Sequence, residues 1–157
     1  MLSAALPAAA QPQLVYLVRH AERADQTPAG ANMQAQTDPL LSAAGEARAA
    51  RLAAMLKDAG ITAIFATEYH RTQDTARPLA AALGIEVGEN PARDTDGLVA
   101  RLRAAHAGDV VLLVGHSNTV PAIIKALGGP DVAIAETEYD NLFIFVPATG
   151  TLSRIRF

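Results

Sequence analysis

The chain has no cysteine, which excludes disulfides and thiolate metal sites. Aromatic residues make up only 4% of a composition that is 50% hydrophobic, so the core must be built mainly from Ala, Leu, Val and Ile. Lysine is nearly absent: Lys57 and Lys125 are the only two among thirteen cationic side chains. A net charge of −3 leaves no broad basic field for nucleic acid. No apolar run approaches membrane-spanning length. No Walker loop and no Gly-x-Gly-x-x-Gly turn follows a strand-like run, so nucleotide folds of those types are excluded. No histidine pair stands at helical spacing, which argues against zinc. No internal repeat or low-complexity segment appears after residue 12.

What is present is an alternation of short apolar runs and amphipathic stretches. Residues 14–20, Leu-Val-Tyr-Leu-Val-Arg-His, read as a buried strand that ends in a cation and an imidazole. Residues 21–39 are rich in turn formers and read as a long loop. Ser42 is placed to cap a helix running to Ala59, with Leu52, Met55, Leu56 and Ala59 inward and Gly60 as its stop. A strand is predicted over 61–66, then a helix to Leu83 and Gly84 that Pro78 should kink or split. A short strand at 85–87, a loop at 88–94 and a helix capped by Asp94 or Thr95 follow, with Leu98, Leu102 and Ala105 inward. Residues 110–114 form another strand ending in Gly115-His116, and Val120, Ile123, Ile124 and Leu127 line the next helix. The acidic run 136–140 reads as a solvated loop, with substrate gating as the alternative, and 141–146 with 151–156 as a β-hairpin. The expected fold is α/β: a three-layer αβα sandwich with a mainly parallel central sheet and the hairpin at its edge. One domain is expected over residues 13–157.

Residues 1–12 precede that domain as an arm. The small apolar run ending in Ala8-Ala9-Ala10 reads as the tail of an export signal, though it lacks a charged first region and a full hydrophobic region. This favours an exported or periplasmic location; the competing reading is an N-terminal arm of a cytoplasmic protein.

In an open α/β sheet, ligands bind beyond the carboxyl ends of the strands. Arg19, His20 and His116 fall there, and Arg71 opens the helix after the second strand on the same edge. Guanidiniums and a protonated imidazole hold a phosphoryl group without a metal. His20 is then the expected nucleophile, Arg19 and Arg71 the clamp, and His116 a donor to the phosphoryl oxygens. The turn at 115–118 opens a helix whose free N–H groups favour an anion, with Ser117 or Asn118 as an added donor. Gly115-His116-Ser117 is not a serine-hydrolase elbow, because every histidine precedes Ser117 and Thr119 stands where that motif has glycine.

Three blocks, Leu17-Val18-Arg19-His20-Ala21-Glu22, the run from Thr67 to Ala76, and Leu113-Val114-Gly115-His116-Ser117, resemble in order and spacing the histidine phosphatase superfamily, also called phosphoglycerate mutase-like. The likeness runs from about Leu14 to Phe157 and includes Leu40, Ser42 and Gly45. It implies His20 as phospho-acceptor, a pocket of Arg19, Arg71 and His116, and no metal or organic cofactor. Ala21 replaces that family's usual glycine, and the stretch 88–94 offers no clear match to its proton-donating glutamate. Glu22, Glu89, Asp94 and Glu138 are therefore the candidates for the leaving-group acid, with Glu22 also read as an ion-pair partner of a pocket arginine. The activity expected is a phosphatase for a phosphorylated small molecule or a phosphoprotein side chain such as phosphohistidine. A phosphoglycerate mutase and a non-catalytic phosphate-binding module are the alternatives.

Overall fold

The computed structural model describes residues 10–26 and 37–157; the expectations for residues 1–9 and for the middle of the long loop lie outside these. Six strands form one sheet in the order β3-β2-β4-β1-β5-β6. The parallel strands are β1 (Leu14–Arg19), β2 (Ala63–Ala66), β3 (Val87–Glu89) and β4 (Val110–Gly115), while β5 (Asn141–Val146) and β6 (Thr151–Arg156) close the edge as an antiparallel hairpin. Side chains alternate across this sheet, so each central strand feeds two cores. Val15 and Leu17 of β1 pack on one face with Leu98, Val99 and Leu102 of α3 (Thr95–Ala105) and Val120, Ile123 and Ile124 of α4 (Thr119–Ala126). Val18, Ile64 and Leu112 pack on the other with Leu52 and Leu56 of α1 (Ala43–Leu56) and Ala76 and Leu79 of α2 (His70–Leu83). The result is the three-layer αβα sandwich with a mostly parallel sheet. Among the described residues no helix is long and apolar enough to cross a membrane.

Local chemistry explains the element boundaries. Ser42 caps α1 by accepting from the Gly45 amide at 3.1 Å. Gly45 has no room for a side chain: a Cβ there would lie 2.3 Å from the Glu22 carbonyl oxygen. That close approach, with Ser42 N–H donating to the Glu22 carbonyl and Ala24 N–H to the Leu40 carbonyl, staples the segment leaving His20 onto the start of α1. Ala21 is fully buried against Leu41 and Ala49 in the same seam.

The structure departs from expectation at several points. α1 ends at Leu56 rather than Ala59, and β2 begins at Ala63 rather than at residue 61. Pro78 does not split α2, which continues to Gly84 in the left-handed conformation; Ala76, Leu79 and Ala80 pack the helix down on both sides of the proline. Met55 is 41% exposed, and the inward stripe of α1 runs through Ala49, Leu52, Ala53 and Leu56 instead. Ala105 is likewise exposed, with Val99 taking its place in the core. β3 starts two residues later than expected, because the Ile85 amide donates to the Ala80 carbonyl and closes α2.

Candidate active site

Strand register assembles the site. In the parallel pairing of β1 with β4, Arg19 stands opposite Gly115, and the His20 amide donates to the Gly115 carbonyl at 2.8 Å. The next residues on the two strands are therefore His20 and His116, whose ring centroids are 5.3 Å apart. β2 stands on the other side of β4 with Ala66 opposite Val114, which brings Thr67 to the same edge. Thr67 Oγ1 lies 2.9 Å from His116 Nε2 and 2.8 Å from Thr72 Oγ1. Thr75 accepts from the Ala21 amide and donates to the Arg71 carbonyl, tying the start of α2 to the residue after His20. Asp38 accepts from the His70 amide and thereby caps α2, whose own Tyr69 contributes no side-chain cap.

These elements surround a cleft of about 320 Å³ lined by Arg19, His20, Arg71 and His116, together with Ser117, Asn118 and Glu136. Tyr69, Arg23, Ala92, Arg93 and Thr119 complete the described wall. Four guanidiniums and two imidazoles converge on it.

The electrostatics of the imidazoles are set by burial. His20 is 3% exposed, and its Nδ1 lies 2.8 Å from the Ala21 carbonyl oxygen. A carbonyl can only accept, so Nδ1 carries the proton in the neutral ring and Nε2 keeps its lone pair. Burial pushes the His20 pKa down to about 3; the Ala21 carbonyl opposes this, and His116, Arg19 and Arg71 add to it. Burial, followed by the charge of Arg71, pushes His116 down to about 4. Burial thus keeps both rings neutral at neutral pH.

The two arginines differ. Arg19 is 3% exposed and donates through Nη1 to the carbonyls of Ala135, Glu136 and Glu138 at 3.2, 2.9 and 3.0 Å. Its Nη2 reaches Glu136 Oε2 at 3.2 Å and the Tyr139 hydroxyl at 3.4 Å, while Nε is buried without a partner. The stretch 136–140 is thus no free solvated loop: Arg19's donors draw its backbone over the strand end. Arg71 stands over the Tyr69 ring at 4.3 Å, with Nε and Nη1 buried and without a hydrogen-bond partner. Its Nη1 is 3.5 Å from Asp38 Oδ1, an ion pair without a hydrogen bond. Burial, and then the neighbouring Arg23, lower its proton affinity.

The remaining expected residues divide. Ser117 and Asn118 line the cleft, and Ser117 donates to Glu136 Oε1 at 2.6 Å. Glu22 is not brought there: its carboxylate is gripped by Arg48, with three nitrogen–oxygen contacts of 2.7 to 3.0 Å. Asp94 caps α3, accepting from the Gly97 amide, and Glu89 is exposed outside the cleft wall. Glu138 pairs with Arg154 and Arg156, and the Ala135 amide, then Arg156, hold its pKa down at about 2. His70 is exposed and paired with Asp38, and His106 is paired with Asp109. Among the described residues no group of three or more histidine or acidic side chains is arranged to hold a metal. Sequence reasoning offers the 136–140 run a substrate-gating role but names neither Glu136 nor Tyr139 as a cleft residue, and it does not single out Tyr69, Arg23 or Arg93.

Comparison with known proteins agrees with this architecture. A protein named probable phosphoglycerate mutase GpmB from Enterobacter sp. (strain 638) is 43% identical over 77 residues, which is 49% of this chain and 35% of the relative. The corresponding protein of Escherichia fergusonii is 40% identical over the same length. The chain thus matches about a third of the length of these curated relatives. The fold is that of the mycobacterial glucosyl-3-phosphoglycerate phosphatase, with a TM-score of 0.66 at 16% identity over 92% of this chain and 98% of that one. Phosphoserine phosphatase from Entamoeba histolytica, solved with 3-phosphoglyceric acid, gives 0.66 at 15% identity, covering 92% and 96%. The family profile of the histidine phosphatase superfamily (branch 1) matches residues 15–93, half of the chain, with both His20 and Arg71 inside the match, and the chain belongs to that superfamily.

Proposed function

We propose that the chain is a metal-independent phosphatase that acts through a covalent phosphohistidine on His20. The observation that carries the reading is the set of buried guanidinium nitrogens without a hydrogen-bond partner, Nε of Arg19 and Nε and Nη1 of Arg71, beside a neutral His20. Buried donors left unsatisfied are costly, and an anion with several acceptor oxygens at this point removes the cost for all three at once. A phosphoryl group is such an anion, and fixed guanidiniums stabilise it most where its charge builds up.

In this reading Nε2 of His20 attacks phosphorus while Nδ1–H stays on the Ala21 carbonyl. That hydrogen bond strengthens as the ring gains positive character, so the strand end that orients the nucleophile also stabilises the phosphorylated imidazole. Arg19 and Arg71 hold the equatorial oxygens, and His116 and Ser117 donate from the turn that opens α4. Water then attacks the phosphohistidine and releases phosphate. The substrate is a phosphomonoester or a phosphorylated protein side chain.

The test is release of phosphate from p-nitrophenyl phosphate in excess chelator. Turnover should persist in the wild type and disappear in His20→Ala, and turnover surviving in that variant would remove His20 as nucleophile. The names of the curated relatives favour a second reading, phosphotransfer between positions of a phosphoglycerate. Interconversion of isomers without net phosphate release would establish it in place of hydrolysis. Phosphate binding with no turnover on any substrate would make the chain a binding module.

A further inference from the structure

A leaving group departs from phosphorus as an alkoxide unless a proton meets it, so an acid must stand on the far side of the phosphoryl group from His20. Every carboxylate that sequence reasoning nominated for this is engaged elsewhere or outside the cleft wall: Glu22 by Arg48, Asp94 at the start of α3, Glu138 by Arg154 and Arg156, and Glu89 in solvent. Glu136 is the one carboxylate lining the cleft among the described residues.

Its setting is unusual. The backbone is pinned, because the carbonyls of residues 135, 136 and 138 all accept from Arg19. The side chain is 80% exposed and held only by its ends, at Ser117 Oγ and Arg19 Nη2. Those two donors are ones that an entering phosphoryl group also engages, so phosphate displaces the carboxylate from them. Beyond Glu136 lies a second cavity of about 380 Å³, walled in part by Gln26, Ser42 and Tyr139. Glu136 and Arg23 are the only described residues that line both. An ester whose phosphoryl group sits on the arginines has the second cavity open to its organic part, and its bridging oxygen falls at the boundary where Glu136 stands.

We propose that Glu136 is the acid–base residue of the phosphatase reaction. This rests on the reading of His20 as nucleophile. Released from Arg19 and Ser117 and set beside the phosphoryl charge, the carboxylate takes a proton, which the substrate brings when it binds as its monoanion. As the His20 Nε2–phosphorus bond forms and the bond from phosphorus to the bridging oxygen breaks, that proton passes from Glu136 to the bridging oxygen, and the alcohol leaves neutral. The ionised carboxylate then accepts a proton from the water that attacks phosphorus; the nitrogen–phosphorus bond breaks, its electron pair returns to Nε2, and Glu136 passes that proton to the phosphate, which leaves as its monoanion.

The experiment compares kcat/KM, which reports the first irreversible step, for p-nitrophenyl phosphate and for an alkyl phosphate such as glycerol phosphate. The p-nitrophenolate ion departs without a proton, whereas an alkoxide does not. Glu136→Gln should lose about a hundredfold or more of kcat/KM on the alkyl ester, the usual worth of a general acid, and at least about tenfold less than that on p-nitrophenyl phosphate, whose leaving group needs no proton. Glu136→Asp should recover part of the alkyl activity and confirms that the variants fold, as should an unchanged thermal transition for Glu136→Gln. Equal losses on both substrates in a folded Glu136→Gln protein, or no loss on the alkyl ester, would overturn the assignment. Wild-type protein inactive on both substrates refutes the phosphatase reading itself, a separate outcome.

Discussion

The two cleft arginines should part company when each is replaced by methionine, because one is built into the fold and the other is left unsatisfied by it. Arg19 holds three backbone carbonyls, the Glu136 carboxylate and the Tyr139 ring, at 3% exposure. The Glu136 carboxylate is exposed, so the loss falls on the three charge-assisted backbone hydrogen bonds, together about 3 kcal/mol or more, and for a chain of this size each kcal/mol is worth roughly 2–4 °C. Arg19→Met should therefore lower Tm by about 6–12 °C. Arg71 has two buried nitrogens without a hydrogen-bond partner, one ion pair with Asp38 and a stacking contact on Tyr69. Its desolvation cost and a stacking gain of about 0.5–1 kcal/mol nearly cancel, so Arg71→Met should leave Tm within a few degrees of wild type. Inorganic phosphate at a hundred times its Kd stabilises by about 2.7 kcal/mol, and both variants should lose that shift. The assay is thermal or urea unfolding with and without phosphate, run beside p-nitrophenyl phosphate turnover. If Arg71→Met unfolds as early as Arg19→Met, or still responds to phosphate, the division of labour between the two arginines is wrong.

Stability should fall as the solution is acidified. His20 and His116 have folded pKa values pushed down to about 3 and about 4, whereas the unfolded chain titrates near 6.5, so below about pH 6.5 the unfolded state binds more protons. Unfolding free energy should drop by up to about 2.7 kcal/mol per pH unit between roughly 6.5 and 4, and urea midpoints for wild type and a His20→Asn/His116→Asn variant measure it; an undiminished slope in the double variant would assign the effect elsewhere. Gly45→Ala drives a Cβ to within 2.3 Å of the Glu22 carbonyl, and overpacking of this kind costs about 1–3 kcal/mol. Because the displaced segment leaves directly from His20, denaturation and kcat should both register the change, and a variant with wild-type stability would mean that the seam relaxes freely.

The parts of the site that were legible in the sequence are those carried by strands. Continuous apolar runs before Arg19-His20 and before Gly115-His116 mark two strands buried on both faces, and strands of that type lie parallel in the sheet centre with their ends together. Once β1 and β4 pair, the contact between His20 and His116 follows from register alone. Arg71 was legible for a related reason, since it opens the helix that leaves β2. The misjudged features depend on contacts that no periodicity announces. β3 begins late because Ile85 spends its amide on closing α2, and Met55 sits at the margin of a stripe whose alanines pack closer to the sheet. Glu136 lies between α4 and β5 in a stretch without regular structure, and only the donors of Arg19, more than a hundred residues earlier, bring it to the cleft. Asp38 likewise reaches the start of α2 from 32 residues earlier in the chain.

The most direct test of the central claim is chemical trapping of the intermediate. The enzyme is mixed with a radiolabelled phosphomonoester and quenched in alkali, which preserves a nitrogen–phosphorus bond and destroys phosphoserine and acyl phosphates, and the labelled peptide is then sequenced. The account predicts label on His20 in the wild type and none in His20→Ala. Label on His116 instead, or steady turnover with no labelled protein at any time, would contradict it.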